Sequence, residues 1–384
     1  MSEHFGANVV KRYVDGENGD DGYDGASSSP GGHGAGPWKT IQKGLNELAG
    51  SNDPQDGDVL IIKQTSNDAL YYGLSGNHQA SNGLTCECSS KEVLIIGANS
   101  SGVVDGSRVE IHGGSLDNNT PMLTISEGGS DNLQWSHFVF DGGNTAAYCV
   151  DNTIRYNHNI QWHNCQFKGA CGDGIRNLAG SSSAYWNFIQ CRFNNNGGAG
   201  LTGNASEFAM YYGCMFDNNN TDGANFGGSA RIAECIFYNN GDDGADFNTS
   251  GLVMTNCIVA NNGDDGGNFS GGSHGLVVDT IFANNGQYHI VNGSNSEIRF
   301  INCTFTGTAG NTFAYESGNK YLTVLNSDLN TGPTFSDLTN FDFTPSYEFG
   351  GITIGTPLPY RMFGSTAGSV GLNKWTNTED ISIF

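Results

Sequence analysis

The chain has 384 residues, of which 57 are Gly and only 8 are Pro, and 37% are hydrophobic. Its 39 Asp and Glu against 16 Lys and Arg give a formal net charge of −23, and an acidic surface of this size repels a phosphate backbone. Nucleic acid is therefore excluded as an expected ligand. The composition is poor in helix formers and rich in residues that turn corners, so few helices are expected.

The N-terminal residues carry no recognisable targeting segment. Residues 1–6 have neither a basic start nor an apolar run, and no stretch of the chain approaches 18 apolar residues. As written, the sequence predicts a product that is not exported by the Sec pathway and does not insert into a membrane.

A helix is predicted directly after Pro37. The apolar residues Trp38, Ile41, Leu45 and Leu48 recur at a spacing that places them on one helical face, and Pro is favoured in the first turn. We assign residues 1–57 to an N-terminal strand, a Gly/Asp loop and this helix. Residues 58–345 form the main domain, and residues 346–384 form an irregular C-terminal tail.

The main domain repeats itself about every 22 residues. In each repeat a small residue, usually Cys, precedes an aromatic or aliphatic residue by two positions, and an Asn- and Gly-rich turn follows. The small residues are Cys165, Cys191, Cys214, Cys235, Cys257, Thr280 and Cys303, with Ser327 as a further candidate. The residues two positions later are Phe167, Phe193, Phe216, Phe237, Val259, Phe282 and Phe305.

This period predicts an all-β right-handed parallel β-helix, a solenoid with the N-terminal helix as its cap. A step of this length is too short for a strand–helix–strand unit, which needs roughly 30 residues. It suits a coil of short strands in which equivalent positions stack. Residues 58–63, 93–96 and 122–125 are predicted to be earlier strands, and the repeated cysteines are expected to form an inner apolar ladder. Cys86 and Cys88 lie outside that ladder and are weak evidence for a metal site.

Four segments carry a resemblance to a known superfamily. Residues 13–25, 37–45, 56–62 and 335–345, together with the repeats, resemble the pectate-lyase-like β-helix proteins over roughly residues 10–345. The resemblance implies the fold but decides little about function, because the superfamily includes polysaccharide lyases, glycoside hydrolases, epimerases, adhesins and viral surface proteins.

A column of carboxylates is predicted at one corner of the coil. Asp222, Asp243 and Asp265 lie six residues after successive core aromatic or aliphatic positions, so they are expected to stack about 4.8 Å apart. Ca²⁺ takes carboxylate and amide oxygens, which Asp242, Asp246 and neighbouring Asn residues would complete. Three interpretations stay open: a corner built from turn-forming residues, a structural or adhesive cation site, and a lyase site.

The string of residues 242–246, with Asp222 one repeat earlier, resembles the calcium motif of family 9 polysaccharide lyases. The resemblance implies that Asp222, Asp242, Asp243 and Asp246 hold a Ca²⁺ that binds the substrate carboxylate and acidifies the C5 proton. That family removes the proton with a Lys, yet residues 247–298 contain no Lys or Arg. His289 and Tyr288 are the remaining candidates for the base.

An aliphatic stripe is predicted on the outside of the coil. Met215, Ile236, Ile258 and Ile281 each follow a ladder position directly, so their side chains are expected to point outward and to be exposed. A covered surface is then implied. Either the C-terminal tail packs over it, or it is a subunit or partner interface, as in a side-by-side homotrimer.

Two function classes follow from these features. The first is a non-catalytic structural or adhesive β-helix on a virion or other extracellular surface, such as a capsid decoration or spike component, with a polysaccharide as a possible ligand. The second is a Ca²⁺-dependent uronate lyase that acts by β-elimination. The missing Lys and the outer aliphatic stripe favour the first class.

Overall fold

A computed structural model shows a coil of short parallel strands. It describes residues 10–49, 58–64, 83–87, 92–114, 116–126, 132–152, 159–177, 185–203, 208–249, 251–270, 272–293, 296–307, 311–315 and 321–325. The expected repeat at Ser327, Cys88 and the predicted tail of residues 346–384 lie outside these residues. Each turn of the coil, called a rung below, contributes one strand to each of three sheets in the regular part of the chain.

The first sheet has 12 strands in the described part of the chain, and each pairs in parallel with its neighbours. In order these are β1 Lys11–Val14, β2 Asp58–Lys63, β4 Glu92–Ala98, β7 Asn132–Ser136, β10 Asn159–His163, β13 Tyr185–Ile189, β16 Phe208–Tyr212, β19 Ser229–Ala233, β22 Leu252–Thr255, β25 His274–Val278, β28 Glu297–Ile301 and β31 Tyr321–Leu325.

The second sheet has 9 described strands. They are β5 Val109–His112, β8 Phe138–Asp141, β11 Gln166–Lys168, β14 Arg192–Asn194, β17 Met215–Asp217, β20 Ile236–Tyr238, β23 Ile258–Ala260, β26 Ile281–Ala283 and β29 Thr304–Thr306.

The third sheet has 10 described strands. They are β3 Leu84–Glu87, β6 Leu123–Ser126, β9 Val150–Asn152, β12 Ile175–Asn177, β15 Leu201–Thr202, β18 Ala224–Phe226, β21 Ala245–Phe247, β24 Gly267–Phe269, β27 Tyr288–Asn292 and β30 Asn311–Tyr315.

The strand register reproduces the sequence repeat. Phe193 pairs with Phe216 and Phe216 with Phe237, so the aromatic positions stack rung on rung as the spacing predicts. The Phe216 and Phe237 rings are parallel, with centroids 4.7 Å apart. The fold is thus the right-handed parallel β-helix expected from the sequence.

The corner between the first and second sheets differs from the simplest sequence interpretation. A continuous strand through Ile189, Cys191 and Phe193 would place all three side chains inside. Instead Gln190 adopts a left-handed conformation with φ of 59°, and the chain turns there. Ile189 therefore lies half-buried on the outer face, and Phe188 takes the inner position. The same corner recurs at Asn164, Gly213, Glu234, Asn256, Asp279 and Asn302.

The inner ladder is confirmed. Cys165, Cys191, Cys214, Cys235, Cys257 and Cys303 are all buried, and Thr280 fills the same position in its rung. None of the cysteines that the structure describes is in a disulfide. Their thiols donate to backbone carbonyls, as from Cys235 Sγ to Tyr211 O at 3.5 Å. Each buried Phe beside them contributes roughly 1.5–3 kcal/mol of stability.

The N-terminal helix is α1 Ile41–Ala49, four residues later than the Pro37 start that the sequence suggests. Thr40 Oγ1 accepts the Lys43 N–H at 3.1 Å and so caps the helix. Ile41, Leu45 and Leu48 are buried in the main core, so the helix closes the end of the coil as predicted. Strand β1 precedes it and pairs with β2 in the first sheet.

The outer aliphatic stripe points outward as predicted but is not exposed. Met215, Ile236, Ile258 and Ile281 are only 2–6% exposed. Together with Tyr238, Ala260 and Ala283 they form a hydrophobic cluster separate from the main core. The four side chains are therefore covered, as the sequence implies, and the assignment of the stripe to tail packing or to a subunit or partner interface stays a prediction.

Candidate cation site on the acidic corner

The turn that follows each strand of the second sheet contains a buried asparagine. These residues form the asparagine ladder, which comprises Asn196, Asn219, Asn240, Asn262 and Asn285. Asn240 Nδ2 donates to Asn262 Oδ1 at 3.0 Å and to the carbonyl of Phe216 at 3.1 Å. Asn240 Oδ1 accepts both the backbone and the side-chain N–H of Asn219, at 3.2 and 3.0 Å. All four hydrogen-bonding capacities of the amide are used.

The acidic column lies beside this ladder, and its carboxylates also connect successive rungs. Asp222 Oδ1 accepts the Asp243 N–H at 3.2 Å, and Asp243 Oδ1 accepts the Asp265 N–H at 2.9 Å. Asp265 Oδ1 accepts the Tyr288 N–H at 3.0 Å. Each of these carboxylates thus has a structural role in joining one rung to the next.

The electrostatics of the column disfavour ionisation. Burial, reinforced by the charges of Asp265, Asp222 and Asp242, raises the pKa of Asp243 to about 8. Burial and neighbouring carboxylates likewise raise the pKa values of Asp222 and Asp265 to about 6. Each carboxylate accepts an N–H from the next rung, but no basic side chain among the described residues offsets its charge, so the charged form is unfavourable.

Three carboxylates come together on this corner, and we call them the aspartate group. Single oxygens of Asp242, Asp243 and Asp264 lie within 4.8 Å of one another. Asp242 and Asp243 belong to the ligand set expected from the sequence, whereas Asp264 does not. Asp222 and Asp265 adjoin the group through the rung-to-rung hydrogen bonds, and Asp246 accepts from Ser270 Oγ at 3.3 Å on strand β21.

Asp264 was missed because the motif that the chain resembles comprises residues 242–246 and Asp222 of the preceding rung, whereas Asp264 lies in the following rung. Asp242 and Asp264 hold the same position in two successive Asn-Asn-Gly-Asp-Asp-Gly turns, and the Asp264 N–H donates to the Asp242 carbonyl at 3.0 Å. Identical positions stack in a solenoid, so the repeated string itself was the available signal.

The aspartate group fits a hard divalent cation. Its donors are carboxylate oxygens, which Ca²⁺ prefers. Asp264 Oδ1 is shielded from solvent and has no hydrogen-bond partner in the structure, and burial together with Asp242 raises the pKa of Asp264. A cation at this position would bind that oxygen and relieve the repulsion between the three carboxylates.

The two candidate bases, His289 and Tyr288, lie in different environments. His289 is 2% exposed and lies inside the coil, where its Nδ1 is 3.2 Å from Asn285 Nδ2 at the end of the asparagine ladder. Burial lowers the pKa of His289 to about 4, so the ring is neutral near neutral pH and can accept from Asn285. Tyr288 is half-buried on the acidic column, with its backbone N–H bound to Asp265.

Arg176 stands in the same register position as Asp246, three rungs earlier, and would be a further basic group near the acidic column. Its side chain is bound to other residues. Its guanidinium binds both carboxylate oxygens of Asp151, at 3.0 and 2.7 Å, and lies 3.9 Å from the centre of the Tyr148 ring. The pKa of Arg176 is raised mainly by the hydrogen bond to Asp151. This arrangement leaves the guanidinium committed to a structural contact three rungs from the aspartate group.

A second cluster of ionisable groups lies on the outer face of the second sheet, in rungs that precede the regular repeat. Glu110, His112 and Asp141 have ligand atoms within 4.8 Å of one another. Lys168 Nζ is 3.1 Å from a carboxylate oxygen of both Glu110 and Asp141. The ammonium therefore already occupies the position between the two carboxylates, which makes this cluster a poorer cation site than the aspartate group.

Comparison with known proteins supports the fold. Residues 203–335 match the protein family described as the right handed beta helix region. Pectate lyase Pel9A is similar in structure, with a TM-score of 0.60 and 14% identity over 83% of this chain and 80% of that one. The A-module of the Azotobacter vinelandii mannuronan C-5 epimerase AlgE4 has a TM-score of 0.52 and 12% identity, over 76% of this chain and 90% of that module.

A viral protein is similar as well. ORF18 of Geobacillus virus E2 has a TM-score of 0.53 and 13% identity, over 75% of this chain and 57% of the viral chain. This chain thus spans a little over half the length of that protein. No curated protein sequence matches the chain. Within the described residues, no helix has the length and apolar character needed to cross a bilayer. At these identities the likenesses show the fold alone, a right-handed parallel β-helix.

Proposed function

We propose that this chain is a non-catalytic β-helix that serves as a structural or adhesive component of a virion-type surface, such as a capsid decoration or a spike. The similarity to the Geobacillus virus protein supports the viral setting. Location on a virion or other extracellular surface and assembly with other subunits, including a homotrimer, are parts of the same proposal.

One observation carries the non-catalytic assignment: the carboxylates of the acidic column join successive rungs, and among the described residues no Lys, Arg or His is within ion-pair distance of them. Asp222, Asp243 and Asp265 each accept a backbone N–H of the next rung. The nearest imidazole, His289, is enclosed in the coil and terminates the asparagine ladder. Since residues 247–298 contain no Lys or Arg, a β-elimination would lack its base.

Ca²⁺ has a structural role in this proposal. Bound by Asp242, Asp243 and Asp264, it would join two successive rungs and offset the like charges. Two unit charges about 4 Å apart repel by roughly 4 kcal/mol at an effective dielectric of 20, so the relief is large enough to affect the stability of the coil.

The alternative function is a Ca²⁺-dependent uronate lyase. The gathering of three carboxylates on one corner favours it, as does the structural similarity to pectate lyase Pel9A. In such an enzyme the metal would bind the uronate carboxylate and acidify the C5 proton. Tyr288, which is half-buried and donates its backbone N–H to Asp265, would be the candidate base.

The two functions are separated by incubating the purified chain with pectate, alginate and other uronates in the presence of Ca²⁺. We expect no unsaturated oligosaccharide, measured by its ultraviolet absorbance, because the corner lacks a positioned base. Asp243→Ala and Asp173→Ala serve as a matched pair, because Asp173 holds the same position in an earlier rung but lies outside the aspartate group. Turnover that Asp243→Ala abolishes and Asp173→Ala retains would establish the lyase instead.

A further inference from the structure

The outer aliphatic stripe is covered, although the same face of the second sheet is open in earlier rungs. The four stripe residues are 2–6% exposed, and Tyr238 beside them is 5% exposed. On earlier strands of this face the side chains of Glu110 and Lys168 are 32% and 29% exposed. An outward position in the second sheet is therefore not buried by the coil itself, and something beyond the coil covers the stripe.

The described helices and strands do not supply this cover. The hydrophobic cluster that contains the stripe consists only of residues on β17, β20, β23 and β26. The described strands that lie closest to these four are their neighbours in the second sheet, and helix α1 packs at the other end of the coil, against β1 and β3. The stripe is nevertheless buried within one copy of the chain, so a second copy is not needed to cover it.

The chain continues beyond the last described strand, at the end of the coil that is nearer to the stripe. Each strand of the first sheet leads through a corner into the second sheet, as Ile301 leads to Thr304. The residues that follow Leu325 on β31 are therefore expected to start beside the last strand of the second sheet. From there the chain would run back over five strand spacings, about 24 Å, to reach Met215. About eight extended residues span that distance, and residues 326–384 provide far more.

The sequence of this C-terminal segment is suited to cross strands rather than to pair with them. Residues 326–384 contain half of the 8 Pro of the chain, namely Pro333, Pro345, Pro357 and Pro359. Proline has no N–H to donate to a strand ladder, and Pro357 and Pro359 flank Leu358. In an extended chain alternate residues share one side, so Leu358, Tyr360 and Met362 would form an apolar edge.

The charge of the segment is complementary to that of the coil. Residues 349–378 contain Arg361 and Lys374 but no Asp or Glu, in a chain whose net charge is −23. Two carboxylates, those of Glu234 and Asp279, stand at the corner two residues before the stripe positions of their rungs. A basic and apolar segment is thus attracted to an acidic coil, while its apolar side chains can cover aliphatic ones.

We propose that residues 349–378, which we call the strap, run back along the outer face of the second sheet and cover the outer aliphatic stripe. Leu358, Tyr360 and Met362 pack on the aliphatic side chains, and the strap holds four successive rungs together from the outside. A second copy of the chain is not the occupant, because the stripe is already closed within one copy. Any subunit contact in the proposed assembly therefore uses another surface.

Limited digestion of the full chain with trypsin tests the strap, because Arg361 and Lys374 are cleavage sites within it. Met215→Lys places a charge under the strap, so we expect cleavage at Lys374, followed by mass spectrometry, to become about tenfold faster as the strap dissociates. Met210→Lys is the matched control, because Met210 points outward from the first sheet in the same rung and is 37% exposed. This control should leave the cleavage rate unchanged.

Leu358→Asp changes the strap and leaves the residues of the coil unaltered. It should also accelerate cleavage at Lys374 about tenfold, whereas Ser365→Asp, at a polar position of the strap, should have little effect. Because Leu358→Asp does not depend on how the coil tolerates a buried Lys, an unchanged cleavage rate in this variant would overturn the proposal.

A photoreactive side chain in the stripe identifies the occupant directly. With benzoylphenylalanine in place of Ile258, ultraviolet irradiation of the full chain should join this position to a residue of the strap in the same molecule. A cross-link to a second copy, in a product of twice the mass, would show that the stripe is a subunit contact and that the strap is not its cover.

Discussion

The asparagine ladder and the acidic column lie in the same turn of the coil, yet their hydrogen-bonding groups are satisfied to different extents. The asparagine ladder is buried and uses every donor and acceptor of its amides, as Asn240 illustrates. The acidic column, three residues further along, accepts one N–H per rung, as Asp243 does from Asp265. An amide has both donors and acceptors and can bind its own copy in the next rung, whereas an ionised carboxylate only accepts.

The comparison shows why stacking helps one residue type and penalises the other. In a solenoid each side chain has its own kind above and below, so self-complementary groups gain with each added rung. Carboxylates in the same position lose solvent on burial and accumulate like charge, and both effects raise the pKa values of Asp222, Asp243 and Asp265. The ladder therefore holds the rungs together, while the column holds charge that a proton or a cation must offset.

The largest effect is expected from breaking the ladder. Asn240→Ala removes four hydrogen bonds and leaves the Asn219 amide and the Phe216 carbonyl buried without these partners. We expect the free energy of unfolding, measured by denaturant titration, to fall by about 3–5 kcal/mol. Asn248→Ala, at an exposed position in the next stretch of chain, should change it by less than about 0.5 kcal/mol.

Asp243→Ala is the corresponding substitution in the acidic column. It removes one rung-to-rung hydrogen bond but also removes a charge that is unfavourable in the folded state. The net loss should therefore be about 1 kcal/mol or less. Equal losses in Asn240→Ala and Asp243→Ala would show that the two columns do not differ in the way proposed.

The next effect is a pH dependence of stability that comes from the acidic column. The folded-state pKa of Asp243 is raised to about 8, above the 3.8 of the unfolded chain. The stabilising contribution of its proton is complete below pH 4 and is lost as the pH rises through 8. Asp222 and Asp265, with pKa values raised to about 6, act in the same direction over the lower part of this range.

Asp243→Asn tests whether ionisation of Asp243 lowers the stability of the folded chain as the pH rises. The amide oxygen can still accept the Asp265 N–H, but no charge develops, so the variant should be more stable than the unaltered chain at pH 8 and differ little from it at pH 4. Thermal unfolding in EDTA between pH 4 and 8 measures the difference. Asp117→Asn is the control, because hydrogen bonds from Thr120 and Asn119 lower the pKa of that exposed carboxylate and it stays ionised across the range. A variant profile as steep as that of the unaltered chain would rule out Asp243 as the source.

The sequence was sufficient to predict which residues stack from rung to rung. It was not sufficient to predict what covers each side chain or which groups form hydrogen bonds with it. The period from Cys165 to Cys303 predicted the register, because residues that recur at one spacing must stack in a solenoid. The sequence implied a covered surface at Met215 and Ile236 but not what covers them, since strand alternation gives the direction of a side chain and says nothing about what lies outside it.

The candidate site was predicted in part for the same reason. Asp242 and Asp243 were identified from one rung, but the distance that brings Asp264 to them depends on the backbone of two rungs. His289 was a candidate base only as long as its direction was unknown. Its position next to Asn285 at the end of the ladder depends on the turn geometry between them, which no local pattern encodes.

The last effect expected is the stabilisation by Ca²⁺, and it decides between two ligand sets. At pH 8 saturating Ca²⁺ should raise the free energy of unfolding by about 1–3 kcal/mol, as a ligand that binds only the folded state does at 10–100 times its dissociation constant. Asp242→Asn and Asp264→Asn should each abolish this gain, because both carboxylates belong to the aspartate group. Asp246→Asn should retain most of it, since Asp246 lies on strand β21 outside that group. The reverse pattern, with the gain lost in Asp246→Asn and kept in Asp264→Asn, would assign the ion to the ligand set of the family 9 lyases. The cation would then lie between the rungs of Asp222 and Asp243 and not between those of Asp242 and Asp264.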